Sequence, residues 1–327
     1  MYKWDALTEE CPDCFYRYNA RPLLSNVLNS LAQYVSADPA DVVFIENASE
    51  GVNTIIRSMR VPAGKKLLFL NTAYGMVKNV MQYVDVCVCL CAACQFHSFS
   101  CPPPCPSYKS FFDTQDSSSE LVIVNISMPA TSDSILKTVS AYLDVHGDSI
   151  YLASFSHIAS LPAVVLPVKQ LVALCASHGI LTLIDGAHAL GQIPVNVTDI
   201  NANFWLGNGH KWLYSPKGSA ILWARKDSQS FLVPTSISEW PASFQDQFIY
   251  VGTTSYAPFL AMQAALDFRA SIGGEDAIFS YIHSLAVSAG QVLAKAWGTD
   301  VLLDDSMYAA MVDVRVPTRN ATLAASM

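Results

Sequence analysis

Two short stretches hold residue types that can do chemistry together. Leu181-Thr-Leu-Ile-Asp185-Gly-Ala-His188 sets a carboxylate at the end of an apolar run, and Asn208-Gly-His210-Lys211-Trp212 sets an amine at the end of the next. A lysine and a shielded carboxylate are what pyridoxal 5′-phosphate (PLP) asks of a protein. The amine forms a Schiff base with the cofactor aldehyde. The carboxylate keeps the pyridine nitrogen protonated, so that the ring can accept electrons from a substrate carbanion.

The setting of each residue sharpens this reading. Gly207-Asn-Gly209 forces a tight turn before Lys211, and Trp212-Leu213 buries the chain after it. A lysine in such a partly dry place has a lowered pKa and is a better nucleophile than a surface lysine. Asp185 closes an all-apolar run, where an unpaired charge is costly; a turn cap for Gly186 is the plainer alternative. His188 is placed to reach the cofactor's phenolic oxygen, or is a helix-face histidine. Asn208 and His210 can donate to a phosphate, or serve only as turn residues.

Farther up the chain, Ala48, Ser49 and Glu50 open a helix straight after an apolar run, and helix-start amides attract anions. Most such residues are simple caps. Tyr74 can stack on an aromatic ring or fill the core. For His157 a core position and a cofactor contact weigh equally.

The elements that position these residues are legible as alternating runs. Residues 22 to 36 have helical spacing, 41 to 46 form a short strand, and Asn47 with Glu50 has the form of a capping box. Strands are expected at 66 to 70, 121 to 126, 149 to 155 and 180 to 184, and helices around 136 to 143 and 168 to 178. Short apolar strands alternating with helices predict an α/β fold, a mostly parallel sheet covered on both faces. Ligands collect at the carboxyl ends of such strands, where Ser49, Tyr74, His157, Asp185 and Lys211 all fall. From Ala257 onward the sequence is helical and alanine-rich.

Composition narrows the classes. A hydrophobic fraction of 52% with only 14% charged residues fits a large core and a buried subunit interface. A net charge of −8 with no basic cluster argues against nucleic acid. No membrane span and no signal peptide are recognised, so the expected location is cytoplasmic and the nine cysteines are expected to be reduced thiols. Six of the nine lie between Cys87 and Cys105. Their spacing lacks paired Cys-x-x-Cys arms, so a Cys-rich loop outweighs a zinc-binding interaction module there.

Asp185-Gly-Ala-His188-Ala-Leu-Gly191-Gln, Asn208-Gly-His210-Lys211-Trp and Ser215-Pro-Lys-Gly218 resemble the class V aminotransferase family. The likeness is nearest to its isopenicillin N epimerase-like branch, beside hercynylcysteine sulfoxide lyase and the cysteine desulfurases. Asn47-Ala-Ser-Glu-Gly-Val-Asn53, Tyr74-Gly75 and Gly252-Thr253 follow the same pattern. The resemblance implies a three-layer, fold-type I PLP enzyme acting on an amino acid, most plausibly a carbon–sulfur lyase or epimerase, and usually a homodimer. It assigns PLP to Lys211, the pyridine nitrogen to Asp185 and the phenolic oxygen to His188. Ser49, Asn208 and His210 would hold the phosphate, Tyr74 would stack on the ring, and Gly252-Thr253 would reach across from the partner subunit.

The pattern also implies an N-terminal helical segment at 1–39, a PLP-binding large domain at 40–270 and a partial C-terminal α/β small domain at 271–327. Residues 82–118 form an atypical Cys- and Pro-rich insert. With the C-terminal domain short, no arginine for a substrate carboxylate is assigned, which leaves a PLP-binding homologue without turnover as the second reading.

Overall fold

Seven apolar runs pair into one sheet because each is bounded by polar turn residues and is too short for a helix of its own. They are β1 (Val42–Ile45), β2 (Lys66–Leu70), β3 (Leu121–Val124), β4 (Ile150–Ser156), β5 (Leu181–Asp185), β6 (Phe204–Asn208) and β7 (Ala220–Ala224). This computed structural model describes residues 1–82, 121–238 and 243–318. The Cys87–Cys105 segment, and with it the zinc alternative, lies outside the described residues. Among the described residues no cluster of three metal-ligating side chains occurs.

The strand order is β1-β7-β6-β5-β4-β2-β3. All pairings are parallel except those of β7, which runs against both β1 and β6. The sheet is therefore mostly parallel, as the alternating runs predict. Successive strand residues point to opposite faces, and here both faces are buried. Val43 and Ile45, Leu67 and Phe69, and Phe204 and Leu206 enter one apolar cluster. Their neighbours Val42 and Phe44, Leu68 and Leu70, and Trp205 enter the other.

Helices close both faces to make three layers. Ala48–Ser58 lays Val52, Ile55 and Ile56 on the first face. Ala20–Tyr34, Ser132–His146 and Val168–Ser177 lay Leu24, Val139 and Leu171 on the second. Two-sided burial explains why the strands read as unbroken hydrophobic runs rather than alternating ones.

Two helices, Ala257–Ser271 and Gly274–Trp297, follow the sheet. The second is long and apolar enough, by length and composition, to cross a membrane, and Tyr281, Leu285 and Val292 are exposed on it. Glu275, Asp276 and Lys295 flank its uncharged stretch. Beyond it, Leu303, Met307, Tyr308 and Ala309 join the apolar cluster of the main sheet. Ala310 N–H donates to Gln192 Oε1 at 2.8 Å and Val165 N–H to the Met307 carbonyl at 2.9 Å. This terminal stretch thus shares the core of the large unit.

One expectation is corrected here. Cys11 and Cys14 are joined in a disulfide rather than held as thiols. Cys11-Pro-Asp-Cys14 turns the chain into a short helix, which brings the two Cα atoms to 5.3 Å, inside the range a disulfide spans. Cys175 remains a free, buried thiol, and burial pushes its pKa up to about 12.

Candidate active site

The site lies along the carboxyl edge of the sheet, where three adjacent parallel strands end in polar residues. β4 ends at Ser156, which is in register with Asp185 at the end of β5, and β6 ends at Asn208. Together with the start of the Ala48–Ser58 helix they line a cavity of about 210 Å³. Its wall includes Ala48, Ser49, Tyr74, Ser156, Asp185, His188, Asn208, His210 and Lys211.

Two loops bring the chemistry together. After β5, Gly186 has no room for a side chain, since an added Cβ would lie 2.4 Å from the Trp205 ring. The chain then turns sharply, and Asp185 Oδ1 accepts from Ala187 N–H at 3.0 Å. Gly191 has φ +84°, and its Cα face lies against the backbone of Trp212 and Leu213, where a Cβ would come within 2.6 Å. That close approach docks the His188 loop onto the Lys211 loop. Lys211 Nζ is consequently 2.8 Å from His188 Nε2, and Trp212 Nε1–H donates to His188 Nδ1 at 3.3 Å.

Burial shapes the charges. Asp185 is only 6% exposed, and burial raises its pKa, offset by the Ala187 N–H and the charge of Lys211. Its second oxygen has no hydrogen-bond partner among the described residues. Burial lowers the pKa of Lys211, with Asp185 opposing, and it lowers His188 to about 4, with Lys211 adding to the effect. His210 is also lowered by burial, and its Nδ1–H donates to the Ser219 carbonyl at 3.0 Å, which leaves Nε2 available.

The helix start differs from a row of free amides. Asn47 Oδ1 accepts from Glu50 N–H at 3.0 Å, and Asn208 Oδ1 accepts from Ala48 N–H at 2.8 Å. Gly51 N–H goes to the Asn47 carbonyl. At the helix start, the Ser49 N–H and hydroxyl are what remain for an anion among the described residues. The Glu50 carboxylate reaches past the cap residue to Glu46 N–H at 2.6 Å, so Glu50 shapes the helix entry rather than lining the cavity.

Three further predicted residues stand apart from the cavity wall. His157 follows the pocket-lining Ser156, so its ring turns into the core, where Nδ1 accepts from Trp205 Nε1–H at 3.4 Å. Gly252 and Thr253 do not line the cavity of their own chain. Sequence reasoning missed Ser156, Met76, Ile158 and Ser160, which also line it. Ser156 was findable, because it is the last residue of β4 and the site follows strand ends. Arg269, fully buried with Nη1–H donating to the Trp212 carbonyl at 2.8 Å, gave no local signal.

With this geometry in place, the family is decided by a sequence profile. The profile described as aminotransferase class-V matches residues 120–326. The chain belongs to the class V aminotransferases. Within that family it is similar to the L-cysteine desulfhydrase-like protein lolT1 of Epichloe uncinata, 28% identical over 97% of this chain and 71% of that one. Hercynylcysteine sulfoxide lyase of Schizosaccharomyces pombe is 26% identical over 89% of this chain and 69% of its own length. Isopenicillin N epimerase of Streptomyces clavuligerus is 25% identical over 90% and 71%. A desulfhydrase homologue from Oryza sativa subsp. japonica is 30% identical, and the chain spans 63% of that relative's length. Among solved structures, a mutant of C-DES with glycine covalently linked to its PLP cofactor superposes with a TM-score of 0.76. It is 15% identical over 99% of this chain and 80% of that one, a likeness of fold.

Proposed function

We propose that this class V aminotransferase is a PLP-dependent enzyme that breaks the carbon–sulfur bond of a cysteine-like amino acid. One observation carries the reading: Lys211 Nζ, 2.8 Å from His188, shares a cavity with a buried Asp185 carboxylate that has one oxygen open. A buried carboxylate with an unused oxygen fits a protonated ring nitrogen, and the Ser49 N–H, the Ser49 hydroxyl and the Asn208 amide fit a phosphate. When bound, PLP supplies an electron sink for the carbanion formed at the substrate α-carbon.

The protein's own residues would divide the rest of the work. Asp185 holds the proton on the ring nitrogen, and Tyr74 offers a flat aromatic wall. Lys211 Nζ takes the proton from the α-carbon and can return it. Met76 and Ile158 give the cavity an apolar wall suited to a substrate with a polarizable sulfur. The desulfhydrase-like and sulfoxide lyase relatives favour carbon–sulfur cleavage. The epimerase relative favours a second reading, in which the same lysine returns the proton to the other face. We also infer a homodimer in which Gly252-Thr253 reaches the partner's cavity, a reading supported by their position away from their own.

The test is direct. Purified protein mixed with PLP should develop a visible absorption band that Lys211→Ala abolishes, and it should release pyruvate together with sulfide from L-cysteine or with the corresponding thiol from an S-substituted cysteine. Racemised amino acid without sulfide would transfer the conclusion to the epimerase. A protein that stays colourless would end the PLP reading.

A further inference from the structure

Lys211 and Trp212 are neighbours in one short helical turn, Gly209–Trp212, yet both reach the same imidazole. An indole N–H can only donate. His188 Nδ1, 3.3 Å from Trp212 Nε1, must therefore offer its lone pair, which leaves the proton of a neutral ring on Nε2. That N–H points along the 2.8 Å contact to Lys211 Nζ. An ammonium has three donors and no acceptor, so it would set N–H against N–H; a neutral amine has the lone pair that completes the bond.

The alternative arrangement fails at the other end of the ring. If the ammonium donated to Nε2, the imidazole proton would move to Nδ1 and confront the indole N–H at 3.3 Å. A doubly protonated ring is opposed by burial and by Lys211. We propose that Trp212 is a positioning residue that fixes His188 as its Nε2–H tautomer and so holds the Lys211 amine neutral and nucleophilic.

The charged groups around the trio bear on this balance. Asp185, on the neighbouring strand, favours the ammonium, while His210 and Lys217 lie on the chain that carries Lys211. Trp212 is itself anchored by the buried Arg269, which donates to the Trp212 carbonyl at 2.8 Å and to the Gly191 carbonyl at 3.0 Å. One guanidinium thus ties the loop of His188 to the loop of Lys211, which keeps the indole on its imidazole. The proposal uses Lys211 in the role assigned above, as the amine that captures an aldehyde.

The test can be made without PLP. In ¹⁵N-histidine-labelled protein, two-bond ¹H–¹⁵N correlation at neutral pH should show His188 protonated on Nε2, its signals identified by their loss in His188→Gln. Labelling of Lys211 by acetic anhydride, followed by peptide mass spectrometry across pH, should show a free amine at neutral pH. In Trp212→Phe the histidine should shift toward Nδ1–H, and the labelling midpoint should rise by about one pH unit.

Replacing Trp212 by β-(3-benzothienyl)alanine, which keeps the shape but lacks the N–H, should do the same. In a His188→Gln background neither replacement should move the midpoint further. A wild-type His188 protonated on Nδ1, an unchanged midpoint in both replacements, or an equal shift without His188 would overturn the assignment. PLP titration of the same samples separates the two ideas: a reactive Lys211 with the predicted tautomer but no visible band upholds the tautomer lock and defeats the cofactor reading.

Discussion

Asn208 Oδ1 accepts a hydrogen bond from Ala48 N–H at 2.8 Å, tying the end of β6 to the first turn of the Ala48–Ser58 helix. The contact is buried and joins segments 160 positions apart in sequence. It also leaves the side-chain amide nitrogen of Asn208 facing the cavity. Asn208→Asp should keep the acceptor and hence most of the stability, while it replaces a donor with a negative charge beside the proposed phosphate. PLP affinity should fall by about tenfold or more, since a lost charge-assisted bond costs about 1.5–3 kcal/mol. Asn208→Ala should instead orphan the Ala48 N–H and lower stability by about 1–3 kcal/mol. Equilibrium dialysis and urea melts would separate the two, and a tight-binding Asn208→Asp would remove Asn208 from the phosphate site.

Asp185 should show a conflict between stability and function. Burial raises its pKa, so ionising it carries a cost in the folded, PLP-free protein that the unfolded chain does not bear. A raised folded-state pKa contributes stability at low pH that is lost as pH rises through it. Asp185→Asn removes that loss while its side-chain oxygen still accepts from Ala187 N–H. The PLP-free variant should melt higher than wild type at pH 7 and the PLP-loaded variant should lose activity by about 100-fold or more, as expected when preorganised electrostatics are removed. A variant that melts lower without PLP would show that Lys211 already offsets the buried charge.

His157 makes an acid-side prediction. Burial depresses its pKa to about 4, against an ordinary value near 6.5. Between those values the unfolded chain binds more protons than the folded one, so stability falls as pH drops through that window. The share from His157 is on the order of 3 kcal/mol at most. His157→Gln should flatten the fall in urea-melt stability between pH 6.5 and 4. An unaltered slope would assign the acid sensitivity to His188, which is depressed to about 4 as well.

The contrast between Ser156 and His157 shows what a sequence can and cannot tell. The limits of β1 to β5 were legible to within two residues, because apolar runs end where polar residues must meet water or ligand. The rule that ligands gather at strand ends found Asp185, and it pointed to the right end of β4. It could not choose between two neighbouring polar residues, because the choice depends on which face of the sheet each one meets. The sheet turns Ser156 to the cavity and His157 to Trp205. Arg269 and the tautomer-setting role of Trp212 were illegible for a related reason. Each acts through partners far away in sequence, so no spacing or periodicity announces it. Of the amides expected free at Ala48 to Gly51, those of Ala48, Glu50 and Gly51 go to Asn208 and Asn47 for the same tertiary reason, which leaves Ser49.

The proposed homodimer can be tested by complementation. If Thr253 serves the partner's cavity, Lys211→Ala on one chain and Thr253→Glu on the other damage the same site of the pair. A mixed dimer would then hold one intact site, made from the Lys211 of one chain and the Thr253 of the other. Random refolding of an equal mixture should restore about a quarter of wild-type activity, as symmetry-related shared sites require. No recovery, from parents that are each inactive and from mixtures shown to exchange subunits, would place Thr253 in its own chain's function or in none.

Arg269 is the strongest candidate for a residue that holds the site together without lining it. Its side chain is fully buried, and its guanidinium donates to the Trp212 and Gly191 carbonyls while pairing with Glu275 at 2.5 Å. Tyr34 O–H donates to the same carboxylate at 2.6 Å, and the Tyr214 ring lies 4.8 Å from the guanidinium carbon. Removing the arginine alone orphans two carbonyls and leaves the half-buried Glu275 without its cation, a loss of at most about 3–5 kcal/mol, the range of a fully buried pair. Arg269→Met should therefore be severely destabilising, and Arg269→Lys should recover only part, because a single ammonium cannot span a carboxylate and two carbonyls at once. In the double variant Arg269→Met/Glu275→Leu the unpaired carboxylate is gone, so its destabilisation should be smaller than the sum of the two single variants. Urea melts of the four proteins give that cycle directly. Strict additivity would mean that the guanidinium's two carbonyl contacts, rather than its ion pair, account for its place in the fold.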